Sequence, residues 1–145
     1  MIIGITFSTF DLFHACHVSM LHEAKQKCDY LIVGLQSDPT IDRPQKNAPI
    51  QSLFERYVQL KGCRYVDEIV PYTRETDLED IMLTYDIHKR FIGEEYKMTN
   101  FTGKSICGKR DIEIVYNQRK HSFSTTNLRE RVVERYIGDV VDITP

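Results

Sequence analysis

Short apolar runs alternate with amphipathic segments along most of the chain. The runs at residues 2–6, 30–35, 67–72, 90–93 and 112–116 have the length of buried strands. Apolar residues at helical spacing predict helices at about 16–27, 52–62, 76–85, 104–107 and 125–136. The run at 30–35 is continuously apolar, which is typical of a parallel strand covered on both faces.

Local signals mark several element ends. Ser52 with Glu55 and Thr76 with Glu79 have the spacing of capping boxes, and each predicts a helix start. Gly108 is placed to end the short helix at 104–107. Residues 36–49 contain three prolines and predict a long loop, a type of segment that is often functional.

The alternation of strands and helices predicts an α/β fold, a five-stranded parallel sheet with helices on both faces. We assign residues 1–136 to one domain and residues 137–145, which show no periodicity, to a C-terminal tail. Polar segments follow the first, fourth and fifth predicted strands. Because ligands bind at the carboxyl ends of such strands, these segments should meet at one site.

Composition narrows the choice of partners. The chain has 145 residues, a formal net charge of -2 and a pI near 6.2, which give no general attraction to nucleic acid or to anionic membranes. No apolar run approaches the ~20 residues of a membrane span, and the start lacks the basic region of a signal peptide. The four cysteines show no C-x-x-C pairing and are expected to be reduced. We therefore expect a cytoplasmic protein.

Candidate chemistry lies at two predicted helix starts. His14 and His17 flank the start of the first helix, where free N–H groups favour a bound anion. Two partly buried structural histidines, or a metal site that includes Cys16, remain alternatives. Ser124, Thr125 and Thr126 begin the last helix after Arg119 and could bind phosphate, or could form an ordinary N-cap.

Three segments resemble a known family. T-F-D-L-F-H-A-C-H at residues 9–17 resembles the G-T-F-D-x-x-H-x-G-H signature of the nucleotidyltransferase superfamily, and H-S-F-S-T-T at 121–126 resembles its I-S-T-T signature. R-Y-V-D-E at 64–68 resembles the R-Y-V-D-E-V segment of the cytidylyltransferase branch, above all of glycerol-3-phosphate cytidylyltransferases. The resemblance extends from about residue 2 to residue 133.

The resemblance implies a Rossmann-like fold, a homodimer and a reaction. CMP would pass from CTP to a phosphorylated polyol, with glycerol 3-phosphate as the first choice, to give CDP-glycerol for surface polysaccharide and pyrophosphate. Mg²⁺ would accompany the triphosphate without a protein cage. Adenylyl transfer to a sugar phosphate such as a heptose phosphate is an alternative, because H-A-C-H-V-S-M-L also resembles H-A-G-H-V-S-Y-L of heptose-phosphate adenylyltransferases. A nucleotide-binding regulator without turnover is another.

The resemblance also assigns roles to residues. The implied catalytic residues are His14, His17, Lys46 and Arg119. The implied nucleotide-binding residues are Ser8, Thr9, Phe10, Asp11, Gly93, Glu94, Ser124 and Thr125. The implied acceptor-binding residues are Arg56 and Arg64, with a dimer role as the alternative for Arg64. No metal ligands are implied. Ser8 and Cys16 replace family glycines, and Cys16 should therefore put a side chain beside the nucleotide.

Overall fold

The chain forms five strands and five α-helices in the computed structural model, which describes residues 1–118 and 124–143. The strands are β1 (Ile3–Ser8), β2 (Tyr30–Gln36), β3 (Glu68–Tyr72), β4 (Lys89–Gly93) and β5 (Glu113–Asn117). The helices are α1 (Ala15–Lys25), α2 (Leu53–Lys61), α3 (Glu75–Thr84), α4 (Lys104–Arg110) and α5 (Thr125–Ile143), and a 3-10 turn covers Glu94–Tyr96. Every predicted strand and helix is present.

All strand pairs are parallel, and the sheet order is β3-β2-β1-β4-β5. The first strand of the sequence is therefore the central one. Its pairing with β2 runs from Ile3 opposite Tyr30 to Ser8 opposite Leu35. Its pairing with β4 is confined to Gly4 with Lys89 and Ile5 with Arg90. Strand order reverses at this junction, which is where open α/β sheets bind ligands.

Apolar side chains cover both faces of the sheet. On one face, Leu21 of α1 and Leu60 of α2 pack with Leu31, Val33 and Phe91. On the other face, a second cluster joins α3 and α4 to β1 and β2; its members include Ile5, Ile32, Leu78, Met82 and Ile106. The predicted Rossmann-like sheet with helices on both faces is confirmed.

Two predicted helix boundaries need correction. The second capping box is wrong, because α3 begins at Glu75, before Thr76. The Asp77 carboxylate accepts hydrogen bonds from the backbone N–H groups of Thr73 and Arg74, which satisfies donors at the helix start. Gly108 lies inside α4, which ends at Arg110. The C-cap residue Asp111 adopts the left-handed region (φ 57°), a conformation that aspartate tolerates.

The last helix is longer than expected. The sequence predicts an end near residue 136, but α5 continues to Ile143 through Gly138. A single glycine lowers helix propensity by only about 1 kcal/mol, so it need not end a helix. In the described part of the chain, no helix is long and apolar enough to cross a membrane.

Gly34 has a direct consequence for the site. It lies opposite Phe7 in the β1–β2 register, and a Cβ on Gly34 would lie 2.2 Å from the Phe7 ring. The missing side chain lets Phe7 lie across β2, with its ring edge-on to Tyr72 at a centroid distance of 5.7 Å. Both aromatic rings line the cavity described next.

Candidate active site

A cavity of about 410 Å³ opens at the carboxyl ends of β1 and β4. Six of the sequence-predicted site residues line it: Ser8, Thr9, Asp11, His17, Lys46 and Thr125. They come from the end of β1 and the loop after it, from α1, from the loop after β2 and from the start of α5. The segments that the sequence places at strand ends therefore do meet at one site.

The loop after β1 has an unusual backbone. Phe10 and Leu12 have φ angles of 49° and 51°, which non-glycine residues rarely adopt. Phe10 is fully buried and holds the turn from below, and the Leu12 N–H donates to Gln51 Oε1 at 2.8 Å. Such backbone strain persists only where surrounding contacts over-determine it, and it clusters at functional sites.

Asp11 joins three segments. Its carboxylate accepts hydrogen bonds from the backbone N–H groups of Ile50 and Gln51, each at 2.9 Å. It also forms an ion pair with Arg129 of α5 at 2.7 Å. Burial alone would raise the pKa of Asp11, but these donors lower it below its usual value, so the group stays ionised. Asp11 therefore positions the long loop and α5 around the cavity.

Both histidines have a defined tautomer. His14 Nδ1 accepts from the Cys16 N–H, and His17 Nδ1 accepts from the His14 N–H, each at 3.2 Å. A neutral imidazole whose Nδ1 accepts a hydrogen bond carries its proton on Nε2. His14 Nε2 then donates to Thr125 Oγ1 at 2.9 Å, which links α1 to α5.

His17 is held neutral. Burial and the neighbouring His14 ring, whose centroid is 4.1 Å away, lower the pKa of His17 to about 4. Phe13 stacks on the His17 ring, and Phe10 meets it edge-on. At neutral pH the cavity therefore contains an uncharged imidazole that can donate one hydrogen bond from Nε2.

The start of α5 forms the wall opposite α1. Ser124 Oγ caps the helix by accepting from the Asn127 N–H at 3.0 Å, so Ser124 acts as an N-cap and does not itself line the cavity. Thr125, Thr126 and Arg129 do line it. Free N–H groups, hydroxyls and a guanidinium at a helix start favour an anion.

Some predicted residues lie elsewhere. Arg56 is only 2% exposed and donates to the carbonyl groups of Thr9, Gln36, Ser37 and, through Nε, Gln51 and Ser52. The acceptor role predicted for Arg56 does not fit this geometry, since its donors hold the backbone together below the cavity.

Arg64 also lies away from the cavity. It precedes β3, at the amino ends of the strands, and its guanidinium lies over the Tyr65 ring. An acceptor at the carboxyl ends cannot reach it. The dimer role remains a prediction for this residue.

The other predicted residues also lie outside the cavity lining or outside the described part of the chain. Gly93 and Glu94 end β4 and begin the 3-10 turn, beside the lining residues Ile92 and Tyr96, but do not line the cavity themselves. Cys16 is 4% exposed and does not line the cavity, so its side chain is not placed beside a nucleotide as expected. Phe10 supports the loop from the core. Arg119 lies outside the described residues.

Three arginines that lie outside the signature segments add positive charge to the cavity. Arg43, Arg90 and Arg129 line the cavity, and each has a buried Nε without a partner among the described residues. Arg43 pairs with Glu75 at 3.0 Å, as Arg129 pairs with Asp11. Arg43 lies in the long loop at residues 36–49 and Arg129 lies three residues beyond the S-T-T segment, so both are close to features that the sequence marks as functional. Arg90 lies inside β4, and no sequence motif points to it.

The residues that the structure describes contain no cluster of metal-ligating side chains. Within residues 1–118 and 124–143, no group of three or more histidine, cysteine or acidic residues could hold a metal ion. The two carboxylates of the cavity, Asp11 and Glu75, are each engaged by an arginine. The H-A-C-H segment is therefore not supported as a metal site.

Comparisons with known proteins agree with the fold and the motifs. The cytidylyltransferase-like family model matches residues 5–131. Glycerol-3-phosphate cytidylyltransferase of Bacillus subtilis is 33% identical over 128 residues, which cover 88% of this chain and 95% of that protein. A probable ethanolamine-phosphate cytidylyltransferase of Encephalitozoon cuniculi is 51% identical over 65 residues, 43% of this chain and 20% of that protein. The crystal structure of a lipopolysaccharide core biosynthesis protein from Thermoplasma volcanium has a TM-score of 0.68 at 21% identity, and the match covers 83% of this chain and 99% of that one.

Proposed function

Because this chain belongs to the cytidylyltransferase-like family and is a nucleotidyltransferase, we propose that it transfers CMP from CTP to glycerol 3-phosphate. The products are CDP-glycerol and pyrophosphate. The relative from Bacillus subtilis supports this acceptor, since the similarity covers 95% of that protein. The observation that carries the proposal is the neutral His17 N–H in a cavity whose opposite wall, at the start of α5, supplies hydroxyls and Arg129.

The reaction needs charge stabilisation more than acid or base catalysis. An oxygen of the acceptor phosphate attacks the α-phosphorus of CTP, and the bond from that phosphorus to the oxygen shared with the β-phosphate breaks. The electron pair leaves with pyrophosphate. Negative charge grows on the transferred group, and His17 Nε2–H donates to it without a change in protonation. Thr9 adds its backbone N–H.

The other predicted residues act on the triphosphate. Thr125, at the start of α5, binds the β- and γ-phosphates, and Arg119 and Lys46 neutralise the leaving pyrophosphate. In this structure the His14 Nε2 donor is hydrogen-bonded to Thr125 Oγ1. The bound triphosphate would compete with Thr125 for this donor. Mg²⁺ would accompany CTP on its phosphate oxygens, in keeping with a cavity whose carboxylates, Asp11 and Glu75, are paired with arginines.

Adenylyl transfer to a heptose phosphate is the second candidate. Its support is the segment H-A-C-H-V-S-M-L, which begins at His14. Ethanolamine phosphate is a further acceptor to test, because of the relative from Encephalitozoon cuniculi.

A substrate matrix tests the proposal. Pyrophosphate release is measured with CTP, ATP, GTP and UTP, each against glycerol 3-phosphate, ethanolamine phosphate and heptose phosphate, with Mg²⁺. We expect the highest kcat/KM with CTP and glycerol 3-phosphate. A higher value for ATP with heptose phosphate would replace the proposal by the second candidate. Release at the same rate by a mock preparation from cells that lack this protein would indicate a contaminating enzyme.

We also propose that the active form is a homodimer, in line with the family resemblance. Four apolar side chains of α5 form an exposed stripe, at 55–69% of their full exposure: Val132, Val133, Tyr136 and Ile137. An unpartnered stripe of this kind is typical of an interface. The outer strand β3 contains Pro71, which cannot donate a ladder hydrogen bond, so α5 is the better candidate contact.

A further inference from the structure

Arg90 is a charged side chain inside the protein core. It lies on β4, is 4% exposed and faces the layer formed by α3 and α4. Its guanidinium lies between the rings of Phe7 and Phe101, with its carbon 5.1 and 4.9 Å from their centroids. Gly103 leaves room for it, because a Cβ there would lie 2.7 Å from an Arg90 terminal nitrogen.

No carboxylate forms an ion pair with Arg90 in the described part of the chain, and Glu75, which pairs with Arg43, acts on its charge only at longer range. One terminal nitrogen donates to the Thr102 carbonyl and faces the Met82 sulfur, and Nε is buried without a partner. The neighbouring Cys107 is no substitute, since burial raises the pKa of its thiol and keeps it neutral. Burial lowers the pKa of Arg90, yet a guanidinium remains protonated in proteins.

Burying the Arg90 charge in this way destabilises the folded state unless a bound group supplies a negative charge. A buried charge normally has a partner, and a chain that needed only packing at this position would do better with an apolar residue. Arg90 nevertheless lines the cavity. Asp11 pairs with Arg129 and Glu75 pairs with Arg43, so a bound anion would supply the direct partner that Arg90 lacks.

The position of Arg90 indicates which of the two substrates supplies this anion, the triphosphate or the phosphorylated acceptor. The residues proposed for the triphosphate come from α1 and the start of α5, and α1 packs on the face of the sheet opposite to α3 and α4. Arg90 instead lies beside Met82 of α3 and the Phe7 and Phe101 rings. The two arginines that the sequence suggested for the acceptor are unsuitable, since Arg56 is engaged by carbonyls and Arg64 lies at the far end of the strands.

We propose that Arg90 binds the phosphate group of the acceptor and sets the affinity for it, an inference that rests on the proposed function. Arg90 orients the attacking phosphate from the α3 side, while His17 acts on the transferred phosphate from the α1 side. Phe7 and Phe101 hold the guanidinium flat, which leaves its edge for the ligand.

Three variants test this proposal. Arg90→Met removes the charge and keeps the length, Arg90→Lys keeps the charge and loses the planar fork, and Arg110→Met removes an exposed charge outside the cavity as a control. With CTP saturating, we expect Arg90→Met to raise the KM for glycerol 3-phosphate at least about 10-fold, the loss typical of a charge-assisted hydrogen bond. The KM for CTP should change less than about 3-fold. Arg90→Lys should lie between, and Arg110→Met should match the wild type.

Stability separates binding from a structural role. If the Arg90 charge is unpaired until a ligand binds, then without substrates Arg90→Met should have an unfolding temperature equal to that of the wild type or higher. A lower unfolding temperature with an unchanged KM for the acceptor would overturn the inference, as would equal rises in the KM for CTP and for the acceptor.

The inference can fail independently of the proposed function. If the wild type releases no pyrophosphate with any acceptor, the proposed function fails, and Arg90 is then tested by binding alone. Inorganic phosphate is titrated in the presence of saturating CTP, and the rise in unfolding temperature is compared between wild type and Arg90→Met. A rise in the wild type that is lost in Arg90→Met supports an anion site at Arg90, whereas equal rises overturn it.

Discussion

Single residues of the cavity owe their chemistry to the protonation states that their surroundings enforce. His17 is neutral because burial and His14 oppose a charge, and its proton is on Nε2 because a backbone N–H occupies Nδ1. Asp11 is ionised because three donors outweigh its burial. The motif T-F-D-L-F-H-A-C-H identifies both side chains, but the tautomer and the direction of each pKa shift follow only from the folded contacts.

His17→Ala should reduce kcat about 10²–10³-fold, because one donor to a developing charge has that value in similar sites. CTP binding should remain measurable, since the donor is most effective in the transition state. Steady-state kinetics and CTP titration check both points. His22→Ala is the matched control on the same helix, outside the cavity, and should keep the wild-type kcat. A His17→Ala enzyme with near-normal kcat would make His17 structural.

The pKa of His17 also predicts a pH dependence of stability. The folded-state value of about 4 lies below the ordinary 6.5, so the unfolded chain binds more protons between these values. This contribution is complete above about pH 6.5 and is lost as the pH falls towards 4. Urea unfolding at pH 7 and pH 5 should show a larger loss of stability for the wild type than for His17→Gln. Equal losses would contradict the pKa shift, and exposed His22→Gln should behave as the wild type does.

At the scale of elements, the sequence predicts what depends on neighbouring residues and misses what depends on distant ones. The capping box at Ser52 is confirmed, with Ser52 and Glu55 exchanging hydrogen bonds at 3.2 and 3.0 Å. The capping box predicted at Thr76 is wrong, because the helix begins one residue earlier and its capping carboxylate is Asp77, which accepts from the N–H groups of Thr73 and Arg74. The surroundings of Arg56 and Arg90 could not be predicted from the sequence, since they include residues 47 positions away for Arg56 (Thr9) and 83 positions away for Arg90 (Phe7).

Asp11 connects three elements, and its loss should therefore destabilise the whole chain. Asp11→Ala leaves two backbone donors and the Arg129 guanidinium without a partner, and we expect a loss of about 3 kcal/mol in the free energy of unfolding. Chemical denaturation measures it. Asp80→Ala, exposed on α3, should stay within about 0.5 kcal/mol of the wild type. A loss below 1 kcal/mol for Asp11→Ala would show that the loop and α5 are held mainly by other contacts.

At the scale of the molecule, the fold was predictable because each strand and helix has a local pattern, whereas the homodimer that the family resemblance implies remains a prediction. The exposed stripe on α5 predicts a homodimer. Sedimentation at micromolar concentration should give about twice the chain mass of 17.0 kDa. Tyr136→Lys, in the middle of the stripe, should shift the protein towards the monomer, while Arg110→Met should not. A wild-type protein that is monomeric and fully active would remove the dimer from the proposal.

The short pairing between β1 and β4 has a consequence for motion. The ladder between these central strands stops after Ile5 and Arg90, so their carboxyl-terminal halves are not fastened to each other. Backbone amides that face this opening should exchange with deuterium faster than those between β1 and β2, where pairing continues to Ser8. Substrates that fill the cavity would cover the opening and slow this exchange. The centre of the sheet, normally the most protected part of such a fold, would thus report ligand binding in this protein.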